Sequence, residues 1–171
     1  PPPSGPARPA PCRTRAAPAA TRSLAPNTPA DGPFARGRRD GFLEAVRAAG
    51  LAEPFVVEGD FTRAGGEAAA RELLAARPDV DGVFGASDLM ADGASLVLQE
   101  AGRHVPQDVA VVGFDDSTVA RQAHPPLTTV RQPVEEMAAE MARLLLAAID
   151  DPDTDARSVL FEPHLVVRDS A

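Results

Sequence analysis

Hydrophobic periodicity divides the chain into a short aperiodic part and a longer periodic part. Residues 1–33 hold ten of the 18 prolines, mixed with Ala, Arg, Ser and Thr, and show no apolar repeat. Because such a segment has no face to bury, we expect residues 1–33 to be disordered. Its composition also resembles a GC-rich gene read out of frame, so a non-native origin is a second hypothesis for this segment.

From residue 34 onward, amphipathic stretches with a helical repeat predict four helices. Their expected spans are 35–49, 62–77, 87–101 and 133–150. Thr62 is a suitable N-cap, and either Ser87 or Asp88 caps the third helix. Pro133 fits the first position of the fourth helix, where a missing N–H costs nothing.

Short apolar runs between the helices predict five strands. Their expected spans are 54–58, 80–86, 109–114, 128–131 and 159–167. The run 109–114 is apolar at every position, which is typical of a strand covered on both faces. Strands that alternate with helices form right-handed βαβ units. The predicted fold class is therefore α/β, with a parallel sheet flanked by helices.

Candidate binding residues follow the predicted strands at their carboxyl ends, where open parallel sheets bind ligands. Phe61 follows the first strand, Ser87 the second and Asp115 the third, and Arg38 near the start of the first helix can reach the same edge. A guanidinium donates to neighbouring hydroxyls, a carboxylate accepts from them, and an aromatic ring covers an apolar face. The set therefore favours a polyhydroxylated ligand such as a sugar.

Two further carboxylates at this edge have simpler explanations. Asp88 is expected only to cap a helix, and Asp116 is expected to be solvated. The Asp115–Asp116 pair also leaves open a small α/β enzyme with paired carboxylates. Adjacent side chains on an extended segment point in opposite directions, however, which argues against a catalytic dyad.

Other motifs for enzymatic chemistry do not occur in the sequence. It contains neither GxGxxG nor GxxxxGK[ST], and the segment from Gly85 to Leu89 lacks the second glycine of a nucleophile elbow. The three histidines have no metal-ligand spacing with Cys12, the single cysteine. We therefore expect no enzymatic activity, no cofactor and no metal.

Charge and hydropathy limit the possible partners. The net charge is −8, but residues 1–40 carry seven Arg against two Asp, so residues 41–171 have a balance of −13. Such an acidic body repels nucleic acid. No apolar run approaches the 18 residues that span a membrane, and a lone cysteine forms no intrachain disulfide. We expect a cytoplasmic protein without membrane contact.

Six segments together resemble one family, the lactose-repressor/galactose-repressor (LacI/GalR) transcription regulators. They are RRDGFLEAVRAAGL, VEGDFTRAGGEAAARELL, DGVFGASDLMADGA, VPQDVAVVGFDDS, PPLTTVRQP and HLVVRDS. The resemblance implies a periplasmic-binding-protein-like fold with two lobes and a small effector, a sugar or nucleobase, bound between them. It also implies an N-terminal helix-turn-helix for operator DNA and a homodimeric intact protein.

Carried over by position, four residues resemble the family's effector contacts. Arg38 matches the arginine before the Gly-aromatic pair, Phe61 the stacking aromatic and Asp115 the effector-contacting aspartate. Ser87 stands where many relatives have Asn, which leaves the effector's identity open. By the same resemblance, residues 34–171 form part of a sugar-type effector-binding domain, most of it one lobe of the two.

The helix at 133–150 belongs by resemblance to the other lobe. Its apolar face needs a partner and comprises Val134, Met137, Met141, Leu144, Leu145 and Ala148. We expect this face to lack that partner here, with docking on the chain's own sheet as the alternative. We expect operator DNA to be bound only by a helix-turn-helix that this chain does not contain.

The function implied is the effector-binding portion of a sugar-responsive, repressor-type regulator. A periplasmic-type sugar-binding protein of a transport system would share the fold but needs an export signal, which the N-terminal residues do not resemble. A fragment without function of its own is a further alternative.

Overall fold

A computed structural model describes residues 33–151 and 157–171. The segment predicted to be disordered, 1–33, lies outside these residues except for Pro33, which begins the first helix. In the described ranges the helices are α1 (Pro33–Ala48), α2 (Arg63–Ala76), α3 (Asp88–Glu100), α4 (Thr118–Gln122) and α5 (Val134–Asp150). The strands are β1 (Gly82–Phe84), β2 (Ala110–Asp115), β3 (Thr128–Arg131) and β4 (His164–Val166).

The strands form one sheet in the order β1-β2-β3-β4. β1, β2 and β3 are parallel, as predicted, and place Asp115 opposite Arg131 at one end. β4 is antiparallel to β3, with Thr129 opposite Val166. Three parallel strands therefore bring their carboxyl ends to one edge, where the candidate residues are expected.

Three predicted strands were too long, and one of them, 80–86, is reduced to the three residues of β1. The run 54–58 contributes a single bridge residue, Val57, and no strand. The run 159–167 shortens to β4, and Leu160 is 93% exposed. Pro163 lacks the N–H that a ladder requires, and β4 begins directly after it. The five-residue α4 was not predicted because it is too short to show a helical repeat.

Capping residues start α2 and α3 where the sequence indicated. Thr62 Oγ1 accepts a hydrogen bond from the Gly65 N–H at 2.9 Å, and Ser87 Oγ accepts one from the Met90 N–H at 3.3 Å. Each cap satisfies an N–H that the first turn of a helix leaves unpaired. Pro133, predicted at the first helical position, lies one residue earlier, just before α5.

The core lies between α2, α3 and the sheet. Its largest fully buried apolar side chains are Leu73, Met90, Leu98, Leu127, Val80, Val109 and Val111. α2 and α3 approach closely because Gly93 has no side chain: a Cβ there would lie 2.3 Å from the Arg63 carbonyl oxygen. This packing fixes the start of α3, and therefore Ser87 and Asp88, against the ends of the strands.

α5 is a separate case, since none of its residues is buried. Met141 is 63% exposed and Leu145 is 62% exposed. In the described ranges, every helix falls short of the length and apolarity that crossing a bilayer requires.

Candidate ligand-binding site

Three of the four predicted site residues come together at the carboxyl edge of the sheet. Arg38 from α1 donates from Nη2 to Asp115 Oδ1 at 3.1 Å. The Arg38 guanidinium carbon lies 5.8 Å from the centre of the Phe61 ring. Seventy-seven residues separate Arg38 from Asp115 in the chain, so only the fold could unite them.

Arg38 is held rigidly in this position. Its Nη1 donates to the Ala86 carbonyl oxygen at 2.5 Å, and its guanidinium stacks 4.0 Å from the centre of the Phe114 ring. The side chain is only 15% exposed. A guanidinium carries five N–H donors, and these contacts use two, so further donors remain for a ligand.

Asp115 occupies the end of β2 with a backbone φ of 111°. Its Oδ1 accepts from both Arg38 and the Gln132 side-chain amide, the latter at 2.8 Å. Burial raises the pKa of the Asp115 carboxyl above its ordinary value, although the Arg38 charge opposes that rise. A partly buried carboxylate with defined partners at a sheet edge is characteristic of a binding site.

Phe61 is held in a strained conformation, with φ of 65°. The neighbouring Asp60 carboxylate accepts from the Thr62 N–H at 3.0 Å and from its hydroxyl at 2.6 Å, which closes a tight turn around Phe61. A bulky residue at positive φ is uncommon, and such strain concentrates at functional sites. The turn presents the aromatic ring beside Arg38.

Ser87 lies beside the others but is differently engaged. It is 5% exposed, and its hydroxyl oxygen serves as the N-cap of α3. The adjacent Ala86 carbonyl oxygen accepts from Arg38. Ser87 therefore positions this edge of the sheet, and a direct contact between its hydroxyl and a ligand stays a prediction.

Asp88 was expected to be a helix cap, and this prediction was wrong because Ser87 takes that place. Asp88 is 1% exposed and accepts from the Thr129 hydroxyl at 2.5 Å and from the Ser117 N–H at 2.7 Å. Gly113 makes room for it, since a Cβ there would lie 2.4 Å from Asp88 Oδ1. Asp88 therefore joins α3, β3 and the start of α4.

Asp116 was expected to be solvated, and this prediction was also wrong. Its side chain is 1% exposed and forms ion pairs with Arg131 and Arg168. Arg168 reaches Oδ1 at 2.5 Å, and Arg131 donates from Nε to Oδ2 at 2.5 Å. Burial raises the pKa of Asp116, but hydrogen bonds from the two arginines outweigh it, and the net pKa is lowered.

The two adjacent carboxylates have different surroundings. Asp115 faces Arg38, whereas Asp116 faces Arg131 and Arg168. This divergence does not suit a pair of carboxylates acting on one substrate bond. Among residues 33–151 and 157–171, no group of three His, Cys, Asp or Glu side chains could hold a metal ion.

Gln132 is the site residue that the sequence analysis missed. It follows the carboxyl end of β3, as Asp115 ends β2, and its amide contacts Asp115 directly. The run 128–131 was correctly predicted as a strand, so the rule that binding residues follow the carboxyl ends of strands also selects Gln132. That rule was applied to the three preceding strands only.

Comparisons with known proteins identify the family and the fold of this chain. A sequence model described as a periplasmic binding protein-like domain matches residues 15–171. The transcriptional regulator CelR of Thermobifida fusca is 54% identical over 135 residues, which are 78% of this chain and 40% of that protein. The HTH-type transcriptional repressor PurR of Edwardsiella ictaluri is 38% identical over 145 residues, which are 81% of this chain and 42% of that protein.

A solved structure shows the same fold. The complex of the transcriptional regulator CelR with cellobiose superposes with a TM-score of 0.85 at 48% identity, covering 89% of this chain and 46% of that one. This chain spans less than half the length of CelR and of PurR. The family-model match over residues 15–171 includes all the residues at the carboxyl edge described above.

Proposed function

Because this chain belongs to the family of periplasmic binding protein-like domains, we propose that it is the effector-binding portion of a sugar-responsive transcriptional regulator. One observation carries the proposal: Arg38 and Gln132 converge on the Asp115 carboxylate beside the Phe61 ring, at the carboxyl edge of a parallel sheet. Ligands of open α/β sheets bind at this edge.

The donors and acceptors at this edge suit a saccharide. Arg38 supplies N–H donors, Asp115 supplies a carboxylate, and the Phe61 ring offers an apolar face to a pyranose. Hydrogen bonds to charged groups contribute about 1.5–3 kcal/mol each, so a few such contacts give useful affinity. CelR, which shares 48% identity with this chain, was solved with cellobiose. Cellobiose is therefore the first ligand to test.

The proposed role in regulation is allosteric. An effector changes operator affinity only if it binds two conformations of the regulator with different affinities. Residues 41–171 carry a balance of −13, which repels DNA phosphates. We therefore assign operator contact to a separate helix-turn-helix part of the regulator. Such a regulator acts in the cytoplasm. By family resemblance, the proposal also includes that the intact regulator is a homodimer.

The proposal excludes an enzymatic role for this edge of the sheet. A hydrolytic or transfer reaction needs a nucleophile with an adjacent base, or two carboxylates that act on one bond. Asp115 and Asp116 face different arginines, and the Ser87 hydroxyl oxygen is occupied as a helix cap. Binding without turnover is the activity that these contacts support.

Calorimetric titration with cellobiose tests the proposal. The full-length regulator that contains this chain should bind cellobiose, because a second lobe would enclose the ligand, and Asp115→Ala in that protein should abolish measurable binding because the charged acceptor is lost. Glu53→Ala is the matched control: it removes an exposed carboxylate that pairs loosely with Arg47 at 3.4 Å, and it should leave the titration unchanged. Equal binding by the Asp115→Ala and unaltered chains would contradict the site assignment.

A further inference from the structure

The turn at the end of β2 is strained at two consecutive residues. Asp115 has a backbone φ of 111° and Asp116 has a φ of 51°, although neither is a glycine. A positive φ in a residue with a side chain costs free energy, and it persists only where the surrounding structure over-determines it. Groups outside the turn must therefore hold the backbone that carries the Asp115 carboxylate.

Two side chains from neighbouring elements hold this turn by its backbone. The Oδ2 atom of Asp88, in α3, accepts a hydrogen bond from the Ser117 N–H at 2.7 Å. The hydroxyl oxygen of Thr129, in β3, accepts one from the Asp116 N–H at 3.3 Å. Ser117 is the N-cap of α4 but makes no side-chain cap hydrogen bond of its own. The path of the chain from β2 into α4 therefore depends on Asp88 and Thr129.

Asp88 and Thr129 are also bound to each other. The Thr129 hydroxyl donates to Asp88 Oδ1 at 2.5 Å, which leaves the hydroxyl oxygen free to accept from the turn. Both side chains are fully buried. A buried polar group that loses its partner has no water to replace it and costs free energy. The pair is therefore a support that the removal of either partner would disrupt.

The support lies behind the ligand-binding edge and reaches both charged residues of the site. Asp88 is the first residue of α3, where the helix dipole favours its negative charge. Ala86, two residues earlier, accepts a hydrogen bond from Arg38 at 2.5 Å through its carbonyl oxygen. The segment 86–88 thus anchors Arg38 directly, and it anchors Asp115 through the turn that Asp88 holds.

We propose that Asp88 and Thr129 are positioning residues: they hold the strained turn in the conformation that presents the Asp115 carboxylate to the ligand, without touching the ligand themselves. Such pre-organisation raises affinity because the carboxylate does not have to be ordered when the ligand binds. This inference rests on the proposed function, since the affinity concerned is that of the same site.

Calorimetric titration of cellobiose into the full-length regulator that contains this chain tests the inference. Thr129→Val keeps the branched shape and removes the hydroxyl. It should weaken binding about tenfold, the effect of losing one good hydrogen bond. Thr129→Ser retains the hydroxyl and should bind nearly as tightly as the unaltered regulator.

Thr128→Val is the matched control for the loss of a buried hydroxyl. Thr128 precedes Thr129 in the same strand and is also buried, but its hydroxyl exchanges hydrogen bonds with the backbone of Arg168 instead of the turn. Thr128→Val should therefore leave the affinity for cellobiose unchanged. Circular-dichroism melting of each variant shows whether the fold is retained.

Carboxyl NMR of the unliganded chain separates positioning from a general loss of stability. Burial raises the pKa of Asp115, and the nearby charge of Asp88 raises it further. Asp88→Asn should therefore lower the pKa of Asp115. Glu53→Gln removes an exposed carboxylate that pairs with Arg47, and it should leave the pKa of Asp115 unchanged.

Each contrary outcome has a distinct meaning. If Thr129→Val binds cellobiose as tightly as the unaltered regulator, or if Thr128→Val weakens binding equally, the inference is overturned and the proposed function stands. An Asp115 pKa that does not fall in Asp88→Asn also overturns the inference, and this measurement decides if Thr129→Val does not fold. If the unaltered regulator binds no cellobiose, the proposed ligand class and the expected effect on affinity fall together.

Discussion

Helices α3 and α5 are both amphipathic, yet they relate to the rest of the molecule in opposite ways. α3 buries eight of its 13 residues against α2 and the sheet, whereas α5 buries none of its 17. α3 begins with a side-chain cap from Ser87, and α5 begins after Pro133 without one. An apolar face thus indicates that a helix needs a partner, but not that the described part of the chain supplies it.

The two helices also differ in how they are attached. α3 is held along its whole length by packing and by the buried Asp88. Gln132, which binds Asp115, lies two residues before α5, and β4 and then Arg168, which binds Asp116, follow the helix in the chain. We infer that the exposed face of α5 meets a second lobe in the intact regulator, as the family resemblance implies. The carboxyl edge of the sheet would then be one wall of a cleft.

The largest expected effect is on the free energy of unfolding when one leucine in each helix is truncated to alanine. Leu98→Ala in α3 removes a side chain that is 1% exposed, and it should lower the free energy of unfolding by about 2–5 kcal/mol. Leu145→Ala in α5 removes one that is 62% exposed and should change it by less than about 0.5 kcal/mol. Urea denaturation measures the free energy of unfolding of both variants. Equal losses of stability in the two variants would contradict the distinction between α3 and α5.

A smaller effect is expected at the buried carboxylate of Asp116, which pairs with Arg168 and Arg131. Asp116→Asn should cost about 2–3 kcal/mol, less than a fully buried ion pair, because Arg131 and Arg121 are about half-exposed. The folded-state pKa of Asp116 is lowered. The ionised carboxylate therefore stabilises the folded protein at pH values above the ordinary pKa of 3.8, and this stabilisation is lost as the pH falls through the folded-state pKa. Urea denaturation of both chains across this pH range should show the difference shrinking towards low pH. A difference in the free energy of unfolding that does not change with pH would contradict the assignment of a stabilising ion pair to Asp116.

The smallest effect on stability is expected at the exposed face of α5 itself. This face should bind a hydrophobic fluorescent dye in the native protein, and Leu145→Glu combined with Met141→Glu should reduce that fluorescence. The urea midpoint should stay nearly constant, since neither side chain is buried. A native chain that binds no dye would indicate that the face is covered.

Sequence patterns predicted those features that depend on local chemistry or on strand order. Thr62 and Ser87 were recognisable as caps, and Asp115 lies at the carboxyl end of a parallel strand as predicted. Arg38 reaches that edge from α1, and Phe61 reaches it from the turn before α2. The burial of Asp116 depended on Arg168, which lies 52 residues away, and on positive φ values at both Asp115 and Asp116. No local pattern contains such information, so a buried ion pair was taken for a solvated carboxylate.

Two-dimensional ¹H–¹⁵N NMR during a cellobiose titration tests the central claim most directly, because it locates the ligand on the chain. The account predicts saturable shifts concentrated at Arg38, Phe61, Asp115 and Gln132, with the exposed middle of α5 unaffected. Shifts concentrated instead in the groove of about 360 Å³ that Asp92, Gln99 and Gln122 help to line would contradict it. So would a spectrum that does not change at any cellobiose concentration.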